Sequence, residues 1–135
     1  MMKQLLLDVI ENLNDIDIYK ITHIENETEF EKFIYNRLDK ILDKKINLMT
    51  QSRSYKEGRE VRPDIVIGKD DILIELKYDL KGVNDIYRLY YQAVKYSKRA
   101  NYALILCVHD PAKLLLRSDI NDLESVEKVK VIQIY

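Results

Sequence analysis

Several segments of the chain carry hydrophobic residues at the period of an α-helix. Phe30, Ile34 and Leu38 belong to the longest of these patterns, in which apolar positions return after three or four residues. Either Asn26 or Thr28 is placed to cap the helix that this pattern predicts. The same periodicity predicts helices over Met2–Asn12, Thr28–Ile46, Val83–Arg99 and Ile120–Val126. In the helix over Val83–Arg99, the side that faces the core is predicted to carry Ile86, Tyr90, Ala93 and Val94.

Other segments have the composition of β-strands. Val61–Ile67 and Ile72–Tyr78 are aliphatic runs separated by Gly-Lys-Asp-Asp, which is typical of a hairpin. The apolar run Tyr102–Val108 predicts a buried strand. Two further strands are predicted over Ile46–Tyr55 and Lys130–Tyr135. The order of helices and strands predicts an α/β fold, a central mixed β-sheet flanked by helices, in a single domain over residues 1–135.

The predicted hairpin contains charged residues where its pattern is otherwise apolar. Counting outward from a turn of two or four residues places Asp64 opposite Glu75, and Arg62 opposite Lys77, all on one face. Opposed side chains have Cβ atoms about 5 Å apart, and like charges there are destabilising. The acidic pair therefore predicts a nearby positive group, which is Arg62, Lys77 or a divalent cation such as Mg²⁺ or Mn²⁺. The opposite face is predicted to be core, formed by Ile65, Ile67, Ile72, Ile74 and Leu76.

These residues also match a known motif. Pro63-Asp64, followed in the next strand by Glu75-Leu76-Lys77, resembles the signature of the PD-(D/E)XK nuclease superfamily, whose members include RecB-like and Holliday junction resolvase-like enzymes. The resemblance implies a restriction-endonuclease-like αβββαβ core and hydrolysis of phosphodiester bonds in DNA with Mg²⁺ or Mn²⁺. It implies that Asp64, Glu75 and the backbone carbonyl of Leu76 hold the metal. Lys77 would position and activate the attacking water.

Two further elements resemble parts of this family. Its members usually carry a glutamate on a helix before the sheet, and Glu31 matches that position, with Glu27 as the alternative one turn earlier. Gln92 and Tyr96 resemble the Q-x-x-x-Y element of RecB-like nucleases, which borders the active site and contacts DNA. The resemblance therefore implies catalytic roles for Glu31 and Gln92, and a DNA contact for Tyr96.

Contacts with DNA would have to be local, because the formal net charge of the chain is −1. Arg88, Lys95 and Arg99 recur with Gln92 at helical spacing and could follow a phosphate backbone, or could form an ordinary solvated face. The predicted nucleic-acid-binding residues are Arg88, Lys95, Tyr96, Arg99 and Arg62, with Arg53, Lys56 and Arg59 as an alternative contact segment.

Composition limits the classes of protein and of site to which this chain could belong. Apolar residues make up 47% and charged residues 33% of the chain, and no apolar run approaches the ~20 residues of a membrane span. The acidic N-terminal segment does not resemble a signal peptide. Cys107 is the single cysteine, which excludes an internal disulfide and a cysteine-rich zinc site. Cys107 is predicted to be part of the core, and His109 is predicted to lie in a turn. We expect a cytoplasmic protein.

Two functions are compatible with these features. The first is a metal-dependent deoxyribonuclease that acts as a homodimer, because two active sites are needed to cut two strands. The alternative is a catalytically inactive nucleic-acid-binding or scaffold module with the same fold.

Overall fold

A computed structural model of the chain describes residues 2–50 and 63–135. The elements within these ranges are α1 (Met2–Asn14), α2 (Ile18–Ile21), α3 (Glu27–Ile41), β1 (Leu48–Thr50), β2 (Ile65–Ile67), β3 (Ile72–Lys77), α4 (Val83–Ser97), β4 (Ala103–His109), α5 (Arg117–Glu124) and β5 (Val129–Ile134). Every predicted helix and strand corresponds to one of them, whereas α2 was not predicted. Among these described helices, none is both long and apolar enough to cross a membrane.

The five described strands form one mixed sheet in the order β1-β2-β3-β4-β5. Strand β2 is antiparallel to both of its neighbours, β1 and β3, whereas β3, β4 and β5 run parallel to one another. Parallel neighbours need a crossover, and α4 and α5 provide the two crossovers. The prediction of an α/β fold with a central mixed sheet flanked by helices is confirmed.

Both faces of the sheet are buried, so the central strands are apolar on both sides. One face packs against α1 and α3, whose buried residues include Leu13 and Ile34. The other face packs against α4 and α5, whose buried residues include Leu89 and Leu123. The predicted core residues Ile65, Ile67, Ile72, Ile74 and Leu76 all face α1 and α3, and Cys107 is also buried there.

The longest N-terminal helix begins where its capping residue predicts. The side chain of Asn26, one of the two predicted caps, accepts a hydrogen bond from the Glu29 N–H at 2.9 Å. The helix ends at Ile41 rather than at the predicted Ile46, because Leu42 has extended backbone dihedrals that cannot continue it.

Helix α4 places a different set of residues inward than the sequence predicted. Ile86, Leu89, Ala93 and Tyr96 are buried against the sheet. Val94 was predicted to share this side but is 47% exposed, because it lies one helical step of about 100° beyond Ala93.

The hairpin between β2 and β3 has the predicted register. Ile67 pairs with Ile72, and the Asp71 N–H donates to the Ile67 carbonyl at 3.2 Å, so the loop has four residues. Gly68 has a φ of +71°, and a Cβ there would clash with the Asp71 carboxylate. Glycine is therefore required for this turn.

Candidate functional site

Two carboxylates meet where β2 and β3 run side by side. Glu75 lies in β3 on the face covered by α4, and Asp64 directly precedes β2. The register that pairs Ile65 with Ile74 brings Asp64 alongside Glu75, as predicted. Asp64 Oδ2 accepts a hydrogen bond from the Leu76 N–H at 2.8 Å, which ties the end of β2 to β3.

The two carboxyl groups lie within hydrogen-bonding reach of each other, in a buried setting. Burial raises the pKa of Glu75, which is 7% exposed, and the charge of Asp64 raises it further. Burial also raises the pKa of Asp64, against the opposing effect of the Leu76 N–H. Both carboxyls therefore resist ionisation, and a second negative charge on the pair is disfavoured.

Protonation also bears on an otherwise unpaired atom. Glu75 Oε1 is buried and has no donor among the described residues, so as a carboxylate oxygen it would be costly. Protonation of Glu75 lowers this cost, because a neutral carboxyl is buried more cheaply than a carboxylate. Burial and the facing charge thus both favour a proton on this pair.

Helix α4 supplies the groups that cover the pair. The side-chain amide of Gln92, a predicted catalytic residue, donates to Glu75 Oε2 at 2.9 Å and is itself buried. The Tyr96 ring lies one turn further along and is 1% exposed. Its hydroxyl is buried and has no hydrogen-bond partner among the described residues. Burial raises the pKa of Tyr96 above its ordinary value, and the nearby charges of Glu75 and Asp64 raise it further.

This position differs from the predicted role of Tyr96 as a nucleic-acid contact. Positions 89, 93 and 96 form the inner face of α4, so the Tyr96 ring packs against the sheet and presents no surface to a ligand outside. Tyr96 is therefore part of the buried environment of the carboxyl pair.

Both glutamates considered for α3 lie near the pair. The charges of Glu27 and Glu31 each raise the pKa of Asp64, and Glu27 also raises that of Glu75. Glu27 Oε1 accepts a hydrogen bond from the Tyr78 N–H at 3.4 Å, which holds it at the end of β3. The structure therefore brings both candidates to the site and leaves the choice between them open.

The cations near the pair are arranged differently from the expectation. Lys77 shares the face of Glu75, but its Nζ is 3.4 Å from Asp85 Oδ1 on α4. Arg88 on α4 is close enough to Glu75 for its charge to favour the ionised carboxylate. Arg88 thus acts on the pair, whereas Lys77 pairs with Asp85.

The other predicted nucleic-acid contacts are distributed along α4 and beyond it. Lys95 Nζ lies 5.7 Å from the centre of the Tyr91 ring, and Arg99 Nε lies 3.7 Å from Asp70 in the hairpin turn, at the other end of β3. Because Gln92 is buried, the predicted stripe of Arg88, Gln92, Lys95 and Arg99 is not exposed along its whole length. Arg62 and the alternative contacts Arg53, Lys56 and Arg59 lie outside the described residues.

An aromatic cluster at the carboxyl ends of β3 and β4 was not predicted. The rings of Tyr78 and His109 stack with centroids 4.8 Å apart, and the Phe30 ring lies 5.9 Å from that of Tyr78. His109 Nδ1 accepts a hydrogen bond from the Asp79 N–H at 3.2 Å, and burial lowers the pKa of His109. Tyr78 directly follows β3, and His109, which was predicted to lie in a turn, is the last residue of the adjacent parallel strand β4. Their positions at the ends of neighbouring strands are the signal that could have located this cluster.

The donor set is compatible with a hard divalent cation. Asp64 and Glu75 provide carboxylate oxygens, and Leu76 adds its carbonyl, because the C=O and N–H of one strand residue point to the same side and its N–H faces Asp64. Within residues 2–50 and 63–135, no group of three His, Cys, Asp or Glu side chains is arranged to hold a metal. Mg²⁺ is commonly held by one or two carboxylates plus water and phosphate oxygens, so two carboxylates suffice.

Comparison with known proteins adds no further assignment. No family model matches the chain, and neither the curated proteins nor the solved structures contain a match.

Proposed function

We propose that this protein is a Mg²⁺- or Mn²⁺-dependent nuclease of the PD-(D/E)XK type that hydrolyses phosphodiester bonds in DNA. The observation that carries the proposal is the pairing of half-buried Asp64 with buried Glu75 across β2 and β3, with the Gln92 amide bonded to Glu75. Support also comes from the order α3, β1, β2, β3, α4, β4, which corresponds to the αβββαβ core of that superfamily. We include a homodimer in the proposal, since cutting both strands requires two sites.

The metal would be held by Asp64, Glu75 and the Leu76 carbonyl. When bound, a divalent cation polarises a phosphoryl oxygen and lowers the pKa of a bound water, which is the chemistry that phosphodiester hydrolysis needs. A cation would also replace the proton held by the two carboxyls, so the cost of a doubly ionised buried pair would be offset.

The other residues of the site would orient the metal ligands and neutralise the charge of the phosphate. The Gln92 amide donates a hydrogen bond to Glu75 and so holds its carboxyl in place. Hydrogen bonds of this kind orient metal ligands. Arg88 and Lys77 bring positive charge to the same face and would oppose the charge of a phosphate. To assist the attacking water, the Lys77 ammonium would have to leave Asp85 and move toward the carboxyl pair when substrate binds.

A cleavage assay tests the proposal. Purified protein would be incubated with single-stranded, duplex, flapped and four-way DNA, in Mg²⁺, in Mn²⁺ and in EDTA. Asp64→Asn and Glu75→Gln keep the shape of each side chain but replace a carboxyl that can ionise to bind the metal with a neutral amide. Each should lower the cleavage rate by about 100-fold or more, the scale of one electrostatic or acid–base contribution.

Glu127→Gln is the matched control, because Glu127 is an exposed acid outside the site and its loss should leave cleavage unchanged. Cleavage that persists in EDTA, or that survives both Asp64→Asn and Glu75→Gln, would show that the activity belongs to a contaminant or to another site.

The inactive nucleic-acid-binding or scaffold module remains the second candidate. It is favoured by the pairing of Lys77 with Asp85 rather than with the carboxyls. It is also favoured because, within the described residues, no three His, Cys, Asp or Glu side chains are arranged to hold a metal. This alternative predicts DNA binding without cleavage of any of the four substrates. It also predicts no thermal stabilisation by Mn²⁺, whereas the nuclease should be stabilised by Mn²⁺ in a way that Asp64→Asn abolishes.

A further inference from the structure

Helix α4 presents two large aromatic side chains to solvent. Tyr87 is 65% exposed and Tyr91 is 61% exposed, and their spacing of four residues places them on one face, one turn apart. Val83 and Val94 extend this face at its two ends and are also exposed. The opposite side of the same helix is buried against the sheet, so nothing in the packing of the described residues explains the exposed face.

The surroundings of the two tyrosines are basic. Residues 83–99 contain four Lys or Arg residues, of which Arg99 is paired with Asp70 at 3.7 Å. They contain one acid, Asp85, which is paired with Lys77 at 3.4 Å. Arg88 is exposed between the tyrosines, and Lys95 Nζ lies 5.7 Å from the centre of the Tyr91 ring. A positive face with aromatic rings on a chain of net charge −1 is suited to a polyanion that also offers flat apolar surfaces.

We propose that the Tyr87–Tyr91 face of α4 binds a single-stranded segment of nucleic acid, with unpaired bases stacked on the tyrosines and phosphates beside Arg88 and Lys95. The bases of a duplex are stacked on one another and cannot offer their faces to these rings. The two tyrosines are separated by a rise of about 6 Å along the helix, roughly twice the 3.4 Å spacing of stacked nucleotides, which suits a strand whose own stacking is opened.

A second copy of the chain fits this face less well. A twofold interface uses the same patch from both copies, so both sides of it would carry the positive charges of Arg88 and Lys95. Like charges brought together in an interface oppose association. Charge complementarity therefore favours nucleic acid as the occupant.

The face is also connected to the carboxyl pair. Tyr91 and Gln92 are consecutive, with Tyr91 pointing outward and the Gln92 amide 2.9 Å from Glu75 Oε2. Arg88, which follows Tyr87, acts electrostatically on the same glutamate. A strand held on the tyrosines would thus lie along the helix that covers the site. This deepens the proposed nuclease function, on which it rests for its catalytic meaning, by naming single-stranded or frayed DNA as the substrate class.

Binding can be measured without cleavage, by fluorescence anisotropy in EDTA with a labelled 20-nucleotide oligo-dT and a blunt 20-base-pair duplex. The wild type should prefer oligo-dT. Tyr87→Ala and Tyr91→Ala should each weaken oligo-dT binding at least about fivefold, since stacking one base contributes ~1–3 kcal/mol. Tyr87→Phe keeps the ring and should bind like the wild type.

Tyr135→Ala is the matched control, because Tyr135 is another exposed tyrosine, 47% exposed, with Lys113 Nζ 5.0 Å from its ring centre, and its loss should have no effect. Unchanged oligo-dT affinity in the Tyr87→Ala, Tyr91→Ala double variant would overturn the inference. So would a wild-type dimer, seen by light scattering, that this double variant converts to monomer without any change in DNA binding.

The outcomes separate this inference from the proposed function. Tyrosine-dependent binding of oligo-dT without cleavage in any metal would leave the binding face standing and remove the nuclease. Metal-dependent cleavage together with tyrosine-independent binding would do the reverse.

Discussion

The proton retained by the Asp64–Glu75 pair should make folding stability fall as pH rises in the absence of metal. In the unfolded chain Glu75 titrates near its ordinary value of 4.5, whereas in the folded protein its pKa is raised, chiefly by burial and then by Asp64. The folded state therefore holds more protons than the unfolded state above that value. Stability from this proton is complete below about pH 4.5 and is lost progressively as pH rises toward the raised pKa.

The magnitude follows from one proton. One extra bound proton changes the free energy of unfolding by about 1.4 kcal/mol per pH unit. Between pH 5 and pH 7 the wild type should therefore lose up to ~2.7 kcal/mol from this group alone. Glu75→Gln mimics the protonated carboxyl, because its amide can accept from Gln92 and donate to Asp64, but it does not titrate. The variant should match the wild type near pH 5 and exceed its stability at pH 7 by ~2–3 kcal/mol.

Urea unfolding followed by circular dichroism, in EDTA at pH 5, 6, 7 and 8, measures this difference. Glu127→Gln removes an exposed acid and should give a curve parallel to that of the wild type. Adding Mn²⁺ should stabilise the wild type more at pH 7 than at pH 5, because the metal competes with the proton, and should have little effect on Glu75→Gln. If the wild type and Glu75→Gln lose stability in parallel from pH 5 to pH 8, the carboxyl pair does not retain a proton.

Four further changes should have measurable effects. Tyr96→Phe removes a buried hydroxyl that has no partner among the described residues, so unfolding in urea should show no loss and a gain of up to ~1 kcal/mol; a loss above that would reveal a partner. Asp110→Ala should cost about 3 kcal/mol in the same assay, because this buried carboxylate accepts hydrogen bonds from two backbone N–H groups and one side-chain amide, and an effect below 1 kcal/mol would contradict the assignment. Asn26→Ala should cost ~1 kcal/mol by removing the helix cap, whereas Asn26→Ser should restore most of it. Gln92→Ala should weaken Mn²⁺ binding about 10- to 100-fold by calorimetry, since Glu75 loses the group that orients it, and unchanged affinity would refute that role.

The local sequence pattern was sufficient to predict the register of the hairpin and the cap of α3. The register that places Asp64 beside Glu75 follows from the period of two in each strand and the number of residues in the turn, both of which are local properties. The cap at Asn26 is equally local, because a short polar side chain needs only its own helix to act. The end of α3 at Ile41 was not predictable in this way, since the apolar period continues into Leu42 although the backbone has left the helix.

The sequence also placed Gln92 correctly as a neighbour of the site, through its resemblance to a motif rather than through its pattern. Helical periodicity alone would have grouped it with the solvent-facing cations, because a helix face is known from sequence only to within about one residue step. Whether a residue on the flank of α4 faces the sheet or the solvent depends on how the helix rotates when it packs. That rotation buried Gln92 and Tyr96 and exposed Val94.

Only the tertiary structure decided how the charges pair. Lys77 is two residues from Glu75 on the same strand face, yet its ammonium lies beside Asp85, because α4 crosses back over the sheet at that point. Arg99 reaches Asp70 because the end of α4 lies over the hairpin turn. The protonation of the pair likewise depends on burial from both faces and on the charges of α3, none of which is local to β2 or β3. The sequence by itself determined which carboxyls meet, since strand pairing is set by period and turn length; packing determined their protonation and their partners, since both depend on distances between elements far apart in the chain.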